Sequence, residues 1–158
     1  MTATDLPSIS SIVGGLLERV DARHRPLFIA LAERLAAERY RRWAKEASGP
    51  ARGGLLACAE REDEIADRVA ALYPDAAAVQ ETLRASNPEL DEVNDALFAG
   101  RALAQQFAIQ AAGERAGAAV WRAFAEHAGS ADARRTLLAC AELEEQSAVY
   151  LESLLAGG

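Results

Sequence analysis

The chain has 158 residues, 51% hydrophobic and 26% charged, with a net charge of −7. That is the make-up of an ordinary globular domain rather than a disordered or membrane-like chain, and its acidic balance argues against the clustered basic surface that nucleic acid demands. Its 37 alanines stand against only 12 valines and isoleucines together, which favours helix and excludes a β-sandwich, a barrel or a doubly wound α/β fold.

In chain order, Ile9, Ile12, Val13, Leu16, Leu17 and Val20 fall at helical spacing. They predict a short amphipathic helix from about Leu6 to Val20, interrupted or frayed at Gly14-Gly15. No basic or apolar leader precedes it between Met1 and Ser10, so a secretory signal is not expected. Pro26 suits the first turn of a helix reaching about Ala47, stopped by Ser48-Gly49-Pro50. A second long helix runs from about Ala51 to Tyr73. Pro74 to Leu97 is irregular, with Asn87-Pro88 and few large apolar residues, and is expected to hold a short helix near Ala76 to Arg84. A third long helix is expected from about Leu90 or Asp91 to Ala128, with a break near Gly100. The last runs from about Ala131 to Leu155, N-capped by Ser130. Two tight hairpins joined by one long connection is the wiring of a crossover four-helix bundle. The expected organisation is an N-terminal segment, 1–21, and a bundle, 22–158, whose crossover covers about 74–97.

An internal repeat gives that bundle its symmetry. Leu55-Leu56-Ala57-Cys58-Ala59-Glu60 recurs unchanged as Leu137-Leu138-Ala139-Cys140-Ala141-Glu142. Glu33 lies seven residues before Tyr40, and Glu114 lies seven before Trp121. Glu33 to Glu62 spans 29 residues, and Glu114 to Glu144 spans 30. In each long helix one of these glutamates occupies a place in the apolar stripe. Glu62 sits between Leu55, Cys58 and Ile65, Val69; Glu144 between Leu137, Cys140 and Ala148, Leu151. Glu33 and Glu114 hold the corresponding places in the first and third helices. Glu60, Asp63, Glu64, Glu142 and Glu145 fall off the stripe or at its rim, where a solvated role explains them.

Four carboxylates converging inside a bundle need compensation, because buried ions lose hydration and like charges repel. The solutions are protonation, arginine partners such as Arg34, Arg61 or Arg115, water-filled space, or cations. A pair of divalent ions bridged by Glu33, Glu62, Glu114 and Glu144 solves the problem directly, since carboxylate oxygens suit iron and manganese.

These residues resemble the rubrerythrin branch of the ferritin-like superfamily, across both hairpins and most of residues 26–155. The matching elements are Glu33…Tyr40 with Trp43-Ala44, Glu114…Trp121 with Phe124-Ala125, Ala59-Glu60-Arg61-Glu62 and Ala141-Glu142-Leu143-Glu144. The resemblance implies a ferritin-like four-helix bundle with a di-iron or di-manganese site on the four glutamates. It also implies a redox role with oxygen or peroxide, or in metal handling. The chain departs from the family's Glu-x-x-His: the histidine places hold Ile65 and Ser147, and Gly117 stands where a further acid often lies. Such a site holds its ions more weakly, and its two halves are inequivalent. No CxxC pair is present, so a bundle without a rubredoxin module is expected.

Cys58 and Cys140 read as small buried residues with free thiols, fitting a reducing cytoplasm. His24 and His127 lie at helix ends, too far from the central layer to be ligands. Tyr40 and Trp121 face the core as packing, with electron relay as the other role open to them. The run Glu38-Arg39-Tyr40-Arg41-Arg42 reads as a mixed solvated face. Two functions follow: an atypical di-metal oxidoreductase or metal handler served by a separate electron-donor protein, or a degenerate bundle without metal acting as an interaction scaffold. The N-terminal stripe, surplus to four helices, motivates a homo-oligomer. No nucleic-acid or membrane partner is expected.

Overall fold

The computed structural model describes residues 6–157, so residues 1–5 of the expected N-terminal segment lie outside the described part. Among the described residues are seven α-helices and no strand: α1 Ile9–Leu17, α2 Arg25–Glu46, α3 Gly49–Ala70, α4 Ala76–Ser86, α5 Leu90–Ala96, α6 Leu103–Glu126 and α7 Ala131–Ala156. The helices form an all-α bundle in which α2 packs tightly on α3 and α6 on α7, with α3 and α7 meeting across the middle. This is broadly the four-helix arrangement with shorter connecting helices. No helix among the described residues is long and apolar enough to cross a membrane.

Local chemistry explains the boundaries. Pro26 lies in the first turn of α2, where its missing N–H costs nothing. The connection from α2 to α3 is shorter than the Ser48-Gly49-Pro50 stop suggests, because α3 already begins at Gly49 with Pro50 in its first turn. The Ser130 hydroxyl accepts the Ala133 N–H at 3.1 Å and caps α7. The break near Gly100 is real: α5 ends at Ala96, and Gly100 takes φ +72°, a conformation that disfavours any side chain. By contrast, Gly14 and Gly15 do not interrupt α1, which runs through both.

Two apolar clusters fill the bundle. One gathers Leu27, Ile65, Val69, Trp121 and Leu137; the other gathers Tyr40, Trp43, Leu55, Phe107 and Leu151. Each draws on opposite halves of α2 and α3, and of α6 and α7, so the paired helices run antiparallel. The stripe of α1 is spent on its own bundle. Ile9 and Ile12 pack against the Tyr40 cluster, while Val13, Leu16 and Leu17 cover Val20, Phe28, Leu31 and Leu90. The four stripe glutamates lie in sequence between the residues of these two clusters on every long helix, and that placement makes the site.

Candidate metal centre

The four glutamates come together. Glu33 on α2 is 8% exposed, Glu62 on α3 is 0%, and Glu114 on α6 and Glu144 on α7 are each 1%. Glu33, Glu62 and Glu144 each offer a carboxylate oxygen within 4.8 Å of the others. Glu114 stands beside this trio, with its carboxyl in hydrogen-bonding reach of Glu144. Apolar clusters cap the layer on both sides, so the carboxylates sit in low dielectric where ionisation without a counter-charge costs several kcal/mol per ion.

Neutral donors hold one oxygen of three carboxylates and leave the other directed elsewhere. The Trp121 indole N–H donates to Glu144 Oε1 at 2.8 Å, and the Ser147 hydroxyl donates to Glu62 Oε1 at 3.1 Å. Glu114 Oε1 receives two bonds, from the Tyr40 hydroxyl at 2.6 Å and from Gln110 Nε2 at 2.7 Å. Burial, and then the Glu114 charge, push the Tyr40 phenol well above its ordinary range, so it stays a proton donor. Tyr40 and Trp121 therefore do more than pack: they fix carboxylates. Glu62 Oε2 is buried with no hydrogen-bond partner among the described residues. A native interior rarely leaves such an atom without a reason.

The first compensation is arginine pairing. Arginine pairing by Arg34, Arg61 or Arg115 does not occur. Arg34 binds Asp63 at 2.8 Å and also Asp67, Arg61 reaches Cys58 Sγ at 3.4 Å, and Arg115 binds Glu152 at 2.8 Å. The arginine that matters is Arg39, which the sequence reading placed on a solvated face. The structure corrects this: Arg39 is 3% exposed, donates to Gln110 Oε1 at 3.0 Å and to Asn94 Oδ1 at 2.6 Å, and lies 3.8 Å from the Phe98 ring centroid. Its guanidinium orients Gln110 to donate onward to Glu114. Arg39 stands three residues after Ala36 and four before Trp43, both buried, which was the available sign that it faces inward.

Protonation is the second compensation. Burial, then the Glu114 charge, raise the Glu33 pKa from 4.5 to about 7. Burial and the neighbouring carboxylates hold Glu62 and Glu144 well above the usual carboxylate range. Cations are the third. The donor set fits a hard or borderline divalent ion: all oxygen, buried, with one orphaned oxygen and one arginine insufficient for four acids. Gly117 belongs to the fit as well. A Cβ there would come within 2.5 Å of Glu144 Oε1 and 2.9 Å of its Cδ, so this glycine makes room for the Glu144 carboxylate.

Three residues after Glu62 and Glu144, Ile65 and Ser147 supply no nitrogen donor. Ile65 is buried in the apolar cluster, while Ser147 is bonded to Glu62. The pseudo-twofold symmetry of the repeat thus fails in detail, since Tyr40 serves Glu114 while its counterpart Trp121 serves Glu144 rather than Glu33. Cys58 and Cys140 are free and buried. Burial raises both thiols, Cys140 to about 12, so neither is a ready thiolate. His24 and His127 flank the ends of α2 and α6, and the His127 ring lies 3.1 Å from the Ala123 carbonyl. The chain matches no protein-family model, no curated protein and no solved structure.

Proposed function

We propose that this is a ferritin-like, rubrerythrin-related protein in which Glu33, Glu62, Glu114 and Glu144 hold two iron or manganese ions. The observation that carries the reading is the buried trio Glu33, Glu62 and Glu144, whose oxygens converge within 4.8 Å while Glu62 Oε2 finds no donor. The bound metals would supply redox and Lewis-acid chemistry toward oxygen or peroxide, or be the cargo of a metal handler. The chain's own residues do the rest. Trp121, Ser147, Tyr40 and Gln110 fix the carboxylates through one oxygen each, an arrangement that raises affinity and sets orientation. Arg39 offsets part of the charge, and the two apolar clusters exclude water. A separate electron-donor protein would complete such chemistry.

One observation favours the scaffold reading: the Glu33 carboxyl is within hydrogen-bonding reach of Glu62 and Glu144, so a partly protonated quartet satisfies itself in part. Metal analysis of protein purified without chelator separates the two. The metal reading expects two ions of iron or manganese per chain and a melting temperature raised by either metal and lowered by chelator. Metal-free protein whose melting ignores iron, manganese and chelator leaves the scaffold reading.

A further inference from the structure

A cavity of about 140 Å³ lies beneath α1, between α2 and α6. Its walls are apolar, made by Ile9, Val13 and Leu17 from α1, Ile29 and Ala36 from α2, and Val120 from α6. Its floor is different: Glu33, Glu114 and Glu144 line it, together with Arg39, Asn94 and Gln110. Among the described residues Glu33 has no N–H donor; its near neighbours are the Glu62 and Glu144 carboxyls and, at longer range, Arg39. The cavity extends over two turns of α1, from Ile9 to Leu17, which is about 12 Å at the helical rise. It is therefore a slot rather than a sphere.

We propose that this slot is a binding site for a small uncharged apolar molecule, of about six to eight carbon atoms, with one end resting on the carboxylate layer. Size sets the upper limit, since a dry apolar cavity of about 150 Å³ accepts benzene. The walls set the chemistry. Away from the floor, a charged or strongly polar body would be desolvated against isoleucine, valine and leucine. The few polar groups at one end are what fixes orientation in small-molecule sites. α1 forms the roof of the slot, and none of its residues is fully buried. Binding itself does not depend on the metal reading; only the further step, that the molecule is presented to bound metal for oxidation, rests on it.

The test uses the full chain in chelator, with toluene and hexan-1-ol as probes, followed by calorimetry and melting temperature. Saturable binding with a negative heat-capacity change and a raised melting temperature is expected for the wild type. Ala36→Leu, which fills the slot from α2, and Val13→Phe, which fills it from α1, should each weaken binding by about tenfold or more. Having one variant on each helix keeps the test valid if Ala36→Leu fails to fold. The proposal is overturned if neither probe binds the wild type saturably, or if the folded variants bind as tightly as wild type. Melting shifts with iron(II) and manganese(II), measured on the same variants, report the metal reading separately.

Discussion

At the scale of single residues, the glutamates were legible because each interrupts an apolar stripe at a repeat-equivalent position. Their partners were less so. Gln110 sits in the stripe of α6 and looks like a tolerated polar residue until Arg39 and Glu114 are seen on either side of it, 3.0 and 2.7 Å away. Arg39 itself was hidden by its neighbours, because Arg41 and Arg42 are exposed while it is not. A run of like charges conceals the one that turns inward. Gly117 offers a test of how tightly the site is set. Ala at this position gains up to about 1 kcal/mol of helix propensity, but its Cβ displaces the Glu144 carboxylate from the Trp121 indole. We expect Gly117→Ala to leave metal-free stability within about 1 kcal/mol of wild type, since these effects offset. It should still remove most of the melting-temperature gain given by iron or manganese. Chemical denaturation in chelator, beside melting scans with metal, checks both halves. A full metal response in Gly117→Ala would show that Glu144 is not held where the structure has it.

At the scale of elements, four long helices and a crossover were legible because alanine-rich stripes, prolines and turn residues point the same way, although the third long helix, expected from Leu90 or Asp91, begins at Leu103 after the separate α5. The crossover helix was expected at Ala76 to Arg84 and is found at Ala76–Ser86. What the pattern could not convey was a contact made by absence. Gly54 faces α7 so closely that a Cβ there would overlap the ring of Tyr150, whose hydroxyl donates to the Ala51 carbonyl at 3.3 Å. The preceding Gly53 has nothing within 4 Å of the same hypothetical atom. The two glycines look identical in the sequence and differ only in what lies opposite. Gly53→Ala should therefore stabilise the protein by about 0.5–1 kcal/mol through helix propensity alone. Gly54→Ala should lose that gain and destabilise by about 1 kcal/mol, because Tyr150 must leave its seat. Urea denaturation of the pair reads the difference directly. Equal stabilisation by both would mean that α3 and α7 are not packed through Tyr150.

At the scale of the whole molecule, the surface and the interior carry charge in different ways. Outside, acids and arginines pair across neighbouring helices, as in Arg34 with Asp63, Arg115 with Glu152 and Arg122 with Glu145. Such exposed pairs contribute little to stability. The pH dependence of folding between about pH 5 and 8 is therefore governed by Glu33, Glu62 and Glu144, and its sign is unusual. Burial and carboxylate neighbours raise Glu33 to about 7 and lift Glu62 and Glu144 well above their ordinary value of 4.5. Above 4.5 the folded state thus binds more protons than the unfolded chain. Their contribution is fully present below that value and is lost as pH rises through the folded-state pKa values. Metal-free protein should accordingly melt lower at about pH 8 than at about pH 5. Metal reverses the trend. Ligation requires the ionised carboxylate, so the melting-temperature gain from iron(II) or manganese(II) should grow over the same window. Glu62→Gln removes one buried acid without changing shape. In chelator it should flatten the decline and melt at or above wild type at alkaline pH, and with metal it should forfeit most of the gain. Melting scans of both proteins across that pH range, with chelator and with each metal, decide the matter. If chelated wild type instead melts higher as pH rises, Glu33, Glu62 and Glu144 are ionised in the fold and balanced by something other than protons or divalent ions, and the metal reading loses its electrostatic ground.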